Sequence, residues 1–241
     1  GSFLNCVVCR FKTKKSFITG RSSCPKCKHR LDWYDLVPLL SWIFLGAKCR
    51  YCNKKISWQY PLAEIATGLI FLMVFNADHI TKTIYLLVIS CFLIIIFIYD
   101  LRNYLIPDKI VLPAIVIAFL YNLFALIIGD FTWHVFLYRI YAGLLPSLFF
   151  AALFFASKGK WIGFGDVKLA LLMGLMLGPE KTALAFYLAF TIGGIIGIGL
   201  ILTKKKSLKS EIPFGPILIL GTFLSLFFSS QIINWYLNLL L

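Results

Sequence analysis

Seven apolar stretches constrain this chain more than anything else in it. They fall near residues 60–76, 83–100, 108–128, 133–156, 166–178, 180–202 and 213–241. A helix crossing a bilayer needs about twenty predominantly apolar residues, and only the stretch at 166–178 is clearly short of that. The chain is 60% hydrophobic and 14% charged, whereas a soluble domain is about 45–50% apolar and about 25% charged. The expected fold is therefore an all-α polytopic integral membrane protein with about seven visible transmembrane helices. Ahead of them, Gly1-Ser2-Phe3-Leu4-Asn5 reads as the tail of a truncated first span, or, at Gly1-Ser2, as a cloning remnant. Within 180–202, Gly193, Gly194, Gly197 and Gly199 make a small-residue face suited to close helix packing.

The net charge of +14 is unevenly placed. Residues 1–60 carry twelve of the twenty-four Lys and Arg against two carboxylates, Asp32 and Asp35. Such a basic pole can bind nucleic acid or anionic lipid. Beside so much apolar sequence it reads as a cytoplasmic loop obeying the positive-inside bias, with the lipid bilayer and no nucleic acid as partner. With residues 1–56 inside, the same side receives Arg102, Lys109, Lys158, Lys160, Lys168, Lys204, Lys205, Lys206 and Lys209. The opposite loops receive Lys82, Lys181 and Arg139. This alternation places Asp100 and Asp166 at one and the same cytoplasmic face.

Six of the seven cysteines lie before residue 53, in three C-x-x-C pairs: Cys6/Cys9, Cys24/Cys27 and Cys49/Cys52. In a reducing compartment such pairs favour metal over disulfide. The second and third pairs are separated by twenty-one residues, the spacing of two knuckles that place four thiolates around one structural zinc ion. About fifty residues poor in aliphatics build little core, so a metal staple is physically reasonable there. Cys6/Cys9 has no matching partner pair, and Cys91 reads as a packing residue.

Carboxylates are scarce, ten in all. Asp100 ends the run Phe97-Ile98-Tyr99-Asp100, and Asp166 stands in Gly163-Phe164-Gly165-Asp166-Val167-Lys168 at the mouth of another apolar stretch. An ionisable group at a membrane boundary is costly and points to function. Two carboxylates at one site share a proton because both cannot readily ionise at close range. One then serves as base toward a water and the other as acid toward an amide, the two titrating as a pair. Asp100 and Asp166 are expected to meet in this way, with Gly163 and Gly165 admitting a substrate backbone or supplying positive φ. The other reading of the same residues makes them helix caps, or charge partners of Arg102 and Lys168. Asp108, after Pro107, suits a helix-start dipole. Glu64, in Pro61-Leu62-Ala63-Glu64, is a further boundary carboxylate. His79 and His134 receive no role. No Ser-His-Asp order, P-loop or G-x-G-x-x-G behind a strand occurs.

These motifs together resemble the bacterial type IV prepilin peptidases, leader peptidases/N-methyltransferases of the G-x-G-D aspartic membrane protease group. The resemblance rests on Gly1 to Asn5 with Arg10, Cys24-Pro25-x-Cys27, Trp33-Tyr34-Asp35 and Pro38-Leu39-Leu40-Ser41-Trp42. It continues through Cys49-Arg50-Tyr51-Cys52, Ile56-Ser57, Tyr60 to Glu64, Asp100 with Pro107-Asp108, and Gly163 to Lys168. It implies that Asp100 and Asp166 are the catalytic pair, supported by Gly163, Gly165, Lys168 and Asp108. It implies cleavage of prepilin or pseudopilin precursors after a glycine, for pili, secretion or DNA uptake (competence). It implies methylation of the new N-terminus with S-adenosylmethionine, with Glu64 and the zinc knuckle (Cys24, Cys27, Cys49, Cys52) serving that activity or substrate positioning. The location implied is the bacterial cytoplasmic (inner) membrane, with the active site facing the cytoplasm. The domains are then 1–9, the end of a truncated first span; 10–56, a cytoplasmic tetracysteine domain; and 57–241, the protease core. Two departures stand out: Ala47 occupies a place where the family often has glycine, and Cys6 and Cys9 replace apolar or aromatic residues.

Other readings are a presenilin-like or preflagellin-type intramembrane aspartyl protease, a proton-coupled transporter using both aspartates as relays, and a non-enzymatic zinc-bearing anchor. A further expectation is that Lys12, Lys14 and Lys15 sense acidic residues just beyond the cleavage point.

Overall fold

The computed structural model describes residues 1–13, 22–24, 26–75, 79–203 and 213–240. Lys14, Lys15, Arg21, Pro25, Lys204, Lys205, Lys206 and Lys209 fall outside them, as does the Lys12 side chain, so the readings placed on these residues do too. The described residues are helical apart from turns and two isolated antiparallel bridges. Helices are what lipid demands, since hydrocarbon offers no partner to a free backbone N–H or C=O. Each of the seven apolar stretches becomes one helix. Five are long and apolar enough to cross a membrane: Ile80–Asn103 (α4), Asp108–Ile127 (α5), Trp133–Ser157 (α6), Pro179–Leu202 (α8) and Gly215–Leu240 (α9). The other two, Gln59–Val74 (α3) and Phe164–Leu177 (α7), have 16 and 14 residues. At 1.5 Å per residue they span only about 24 and 21 Å, less than the hydrocarbon core. Ahead of them come Ser2–Thr13 (α1), a 3-10 turn at Trp33–Leu36 and the short Leu40–Phe44 (α2).

The chain divides into two compact units, Gly1–Ile98 and Tyr99–Leu241. In the first, α1 packs on α3, with Gly1 close against the Glu64 backbone and side chain. Between these helices lie two knuckles of matching construction. Cys24 N–H donates to the His29 carbonyl and Lys28 N–H to the Cys24 carbonyl, both at 2.9 Å. Cys49 N–H donates to Lys54 and Asn53 N–H to Cys49 in the same way, again at 2.9 Å. Lys28 and Asn53, each four residues after the first cysteine, both have positive φ, +62° and +53°.

In the second unit α7 is the central helix: ten of its fourteen residues are buried, and it packs against α5, α6, α8 and α9. Burial on all sides explains why so short an apolar stretch is stable without reaching across a bilayer. Its closest neighbour is α6, where Gly143 and Gly174 let the two backbones touch. α9 approaches α8 through Gly221 against Ala185 and Ala189. The small-residue face expected at Gly193, Gly194, Gly197 and Gly199 is not the packing seam. No atom of the described residues comes within 4 Å of a methyl built on Gly194, Gly197 or Gly199, and Gly193 meets Ile217 only at an ordinary 3.5 Å. The seam instead forms where one small residue faces another on the neighbouring helix, a pairing that one helix's pattern does not reveal. Arg139, expected in a loop, lies inside α6. Its guanidinium donates to the Met176 carbonyl at 3.3 Å and to Asn122 Oδ1 at 3.4 Å. With Asn122 Nδ2 on the Leu175 carbonyl at 3.0 Å, it occupies the C-terminal carbonyls of α7, where a cation suits the helix dipole.

Candidate active site

Asp166 stands in the first turn of α7, 8% exposed. Gly163 precedes the helix in extended conformation, φ −76° and ψ 148°, and its N–H donates to Asp166 Oδ2 at 3.3 Å. The carboxylate thus occupies an orphan amide of its own helix and benefits from the N-terminal dipole. Gly163 and Gly165 do not use positive φ. A methyl on Gly165 would lie 2.7 Å from Ile106 Cβ, so Gly165 is small because Ile106 packs onto it.

Asp100 lies in the last turn of α4, 4% exposed. It accepts the backbone N–H of Gly215, the first residue of α9. A methyl on Gly215 would collide with Asp100 Oδ2 and come 3.1 Å from Ile106 Cδ1. Ile106 therefore lies against both Gly165 and Gly215, and Asp100 and Asp166 are within electrostatic reach of each other. The ends of α4, α7 and α9 and the short segment after α4 converge on the two carboxylates.

Gly215 was not singled out from sequence. The punctuation Pro213-Phe214-Gly215-Pro216 before the last apolar run marks a helix start. Nothing in it says that the first amide of that helix faces an aspartate over a hundred positions earlier.

Lys168 forms its ion pair with Asp108, Nζ to Oδ1 at 2.5 Å, and lies 4.8 Å from the Phe164 ring centroid. The charge partner of Lys168 is therefore Asp108, not Asp166. Asp108 opens α5 in its first turn, where the helix dipole favours a carboxylate as expected, though it supplies no side-chain cap and the N-cap is Pro107. The pair ties the start of α5 to the start of α7, one turn from Asp166. Since Asp108 is 60% exposed, its worth is at the modest end for ion pairs.

In the first unit, the sulfur atoms of Cys24, Cys27, Cys49 and Cys52 all lie within 4.8 Å of one another, with Cys24 Sγ and Cys52 Sγ 3.9 Å apart. Tetrahedral zinc with Zn–S near 2.3 Å places ligand sulfurs about 3.8 Å apart, so this group could hold a metal ion. Burial pushes the Cys24 thiol up, but backbone hydrogen bonds from Cys27 and Lys26 outweigh it and bring it down to about 7, toward the thiolate that a metal requires. Cys9 Sγ lies 3.7 Å from the Tyr60 hydroxyl, away from this group.

Glu64 is engaged at both of its carboxylate oxygens. The Ser2 hydroxyl donates to Oε1, and the Leu39 N–H donates to Oε2 at 2.9 Å. Leu39 has φ +60°, a conformation unusual for a branched residue. The carboxylate joins α1, the segment before α2, and α3.

A family model described as Bacterial Peptidase A24 N-terminal domain matches residues 1–77, which hold Glu64 and the four cysteines. One described as Type IV leader peptidase family matches residues 87–198, which hold both aspartates. A protein of Bacillus subtilis (strain 168) named prepilin leader peptidase/N-methyltransferase is 33% identical, over 100% of this chain and 95% of that protein. Proteins of the same name from Aeromonas salmonicida (strain A449) and Vibrio cholerae are 32% and 30% identical, covering 94% and 96% of this chain and 77% and 93% of their own lengths. No solved structure matches.

Proposed function

The chain belongs to the type IV leader peptidase family, and on that premise we propose that it is a membrane aspartic endopeptidase that cleaves prepilin-type precursors after a glycine and N-methylates the new N-terminus. The observation that carries the peptidase reading is the pair of buried carboxylates, Asp100 and Asp166, from two different helices and within electrostatic reach. Each is held by one backbone amide, from Gly215 and Gly163 respectively. Among the described residues no other donor is seen at either carboxylate, which leaves lone pairs for a water and a substrate amide. One carboxylate takes a proton from the water as it attacks the scissile carbonyl. The other gives its proton to the leaving nitrogen, and the shared charge stays constant through the step. Preorganisation by Gly163, Gly215 and Ile106 keeps both groups in place without reorganisation.

Five helices long and apolar enough to cross a membrane support a membrane setting for this chemistry, and the lysine-rich loops favour a cytoplasmic face of the bacterial inner membrane. Zinc is the metal that the four-thiolate group fits: with all four positions filled by protein, the site is structural rather than catalytic. S-adenosylmethionine, when bound, supplies the methyl group for the second activity. The first unit offers that ligand the Asn5 amide, whose Nδ2 is buried and has no hydrogen-bond partner among the described residues. Glu64 is better read as a positioning group for this unit, because both of its oxygens are already engaged. No observation favours the relay, presenilin-like or anchor readings.

The test is cleavage of a prepilin-type substrate in reconstituted membranes by the chain and by Asp100→Asn and Asp166→Asn. Each substitution is expected to lower kcat by roughly 10⁴-fold or more, with membrane insertion and metal content unchanged. Substantial cleavage by either variant refutes the dyad.

A further inference from the structure

The knuckle region leaves large apolar side chains in the open. Leu40, Ile43 and Phe44 on α2 are 52%, 63% and 82% exposed, and their i, i+3, i+4 spacing sets them along one stripe of the helix. Trp33, in the turn that packs on α2, is 79% exposed, and Trp58, its ring centroid 4.3 Å from that of Trp42 and tilted by 58°, is 66% exposed. Apolar side chains grouped in this way on a small domain mark a partner surface.

The charge around them is predominantly positive. Lys26, Lys28, Arg30, Lys48, Lys54 and Lys55 are all exposed. The two carboxylates of the region are already engaged. Asp35 pairs with Arg50 at 2.9 Å, and Asp32 accepts the Tyr34 and Tyr51 hydroxyls at 2.8 and 3.1 Å. The region is also flanked by apolar sequence on both sides. The apolar helices α1 and α3 bound it, and Trp58 immediately precedes α3.

We propose that this face of the knuckle region docks on the headgroup layer of an anionic bilayer, with Leu40, Ile43, Phe44 and Trp33 entering the interface and the lysines reaching lipid phosphates. Tryptophan at the interface, an apolar stripe beside it and cations level with the phosphates are the arrangement that an interfacial segment needs. An acidic peptide would answer the charge but leave the stripe of α2 facing water. The consequence is that the region is anchored at the membrane surface by its own contacts as well as by its two flanking helices. The inference does not depend on the proposed chemistry, and its test does not use activity.

The experiment uses the full chain carrying Phe44→Trp, with the six native tryptophans replaced by Phe, in vesicles of phosphatidylglycerol and phosphatidylcholine. Lipids brominated near the headgroup end of their chains are expected to quench Trp emission several-fold, while aqueous acrylamide quenches it little. Lys48→Gln, Lys54→Gln and Lys55→Gln together are expected to shift the balance toward acrylamide. Amide exchange over residues 38–46 of the unsubstituted chain gives a second reading. It is expected to slow as the phosphatidylglycerol fraction rises, and it is unaffected by loss of the Trp42–Trp58 contact in the labelled variant. Full acrylamide access with no lipid quenching overturns the proposal. Protection from both quenchers, with exchange insensitive to lipid composition, also overturns it, because the face is then covered by protein: a second copy, a peptide or the rest of the chain.

Discussion

Glu64 in the first unit and the Asp100/Asp166 pair in the second are carboxylates near the ends of apolar helices, yet they are held in contrasting ways. Glu64 has a donor on each oxygen, Ser2 on one and Leu39 on the other. Asp100 and Asp166 are more deeply buried, and the described residues give each one backbone amide. A saturated carboxylate acts as a bolt between chain segments. A buried pair with spare lone pairs is costly to maintain, and that cost is what one expects where the groups must bind water and substrate. Burial alone would rank the aspartates first; partner saturation separates the proposed catalytic pair from the clamp.

The largest expected effect tests whether the two units are energetically separate. Stripping the metal, or substituting Cys24→Ser with Cys49→Ser, removes a binding free energy of roughly 10–16 kcal/mol in small zinc domains. The knuckles are expected to lose protection in amide exchange, while the α5–α9 helices keep theirs. Collapse of both together would show that the division does not hold energetically. Metal binding itself is expected to weaken as pH falls, because protons and the metal compete for the thiolates, of which Cys24 is brought down to about 7 and Cys52 pushed up to about 11.

Gly215→Ala probes the dyad's support. Its methyl would collide with the Asp100 carboxylate, and a displacement of that kind costs on the order of 10²-fold in kcat. Normal cleavage by this variant would remove Gly215 from the site. Glu64→Ala is expected to destabilise the first unit by about 1.5–3 kcal/mol, the worth of hydrogen bonds to a charged group, with faster amide exchange near Leu39. The cleavage rate should move far less than in the Gly215 variant; an equal loss would collapse the contrast between clamp and dyad. Smallest is Ala47→Gly. Ala47 has φ +60°, a left-handed conformation that costs a non-glycine residue about 1 kcal/mol. Glycine there is expected to stabilise the knuckle by up to about 1 kcal/mol, read as slower exchange or tighter metal retention. A destabilising result would mean that the lost methyl contact outweighs the relief.

The seven helices were legible because each announces itself locally: a run of apolar residues bounded by charge, glycine or proline needs no distant partner to become a helix in lipid. The C-x-x-C pairs were legible for a similar reason, since metal-ligand spacing is carried within short knuckles. The Lys168–Asp108 pair, the Gly143–Gly174 seam and the amide of Gly215 were not. Each joins residues tens of positions apart, and the sequence holds no pattern that pairs them.

By itself, then, the sequence determined that this chain is a helical membrane protein, roughly where its seven apolar helices run, which four cysteines are spaced for a metal, and that Asp100 and Asp166 are costly enough to matter. Only the tertiary structure decided which glycines are pressed by a neighbour, that Asp108 rather than Asp166 takes Lys168, that Glu64 is saturated, and that α9 brings its first amide to Asp100. The physical reason is range: hydropathy, caps and ligand spacing act within a turn or two of chain, whereas the partner of a buried polar group is set by helix packing.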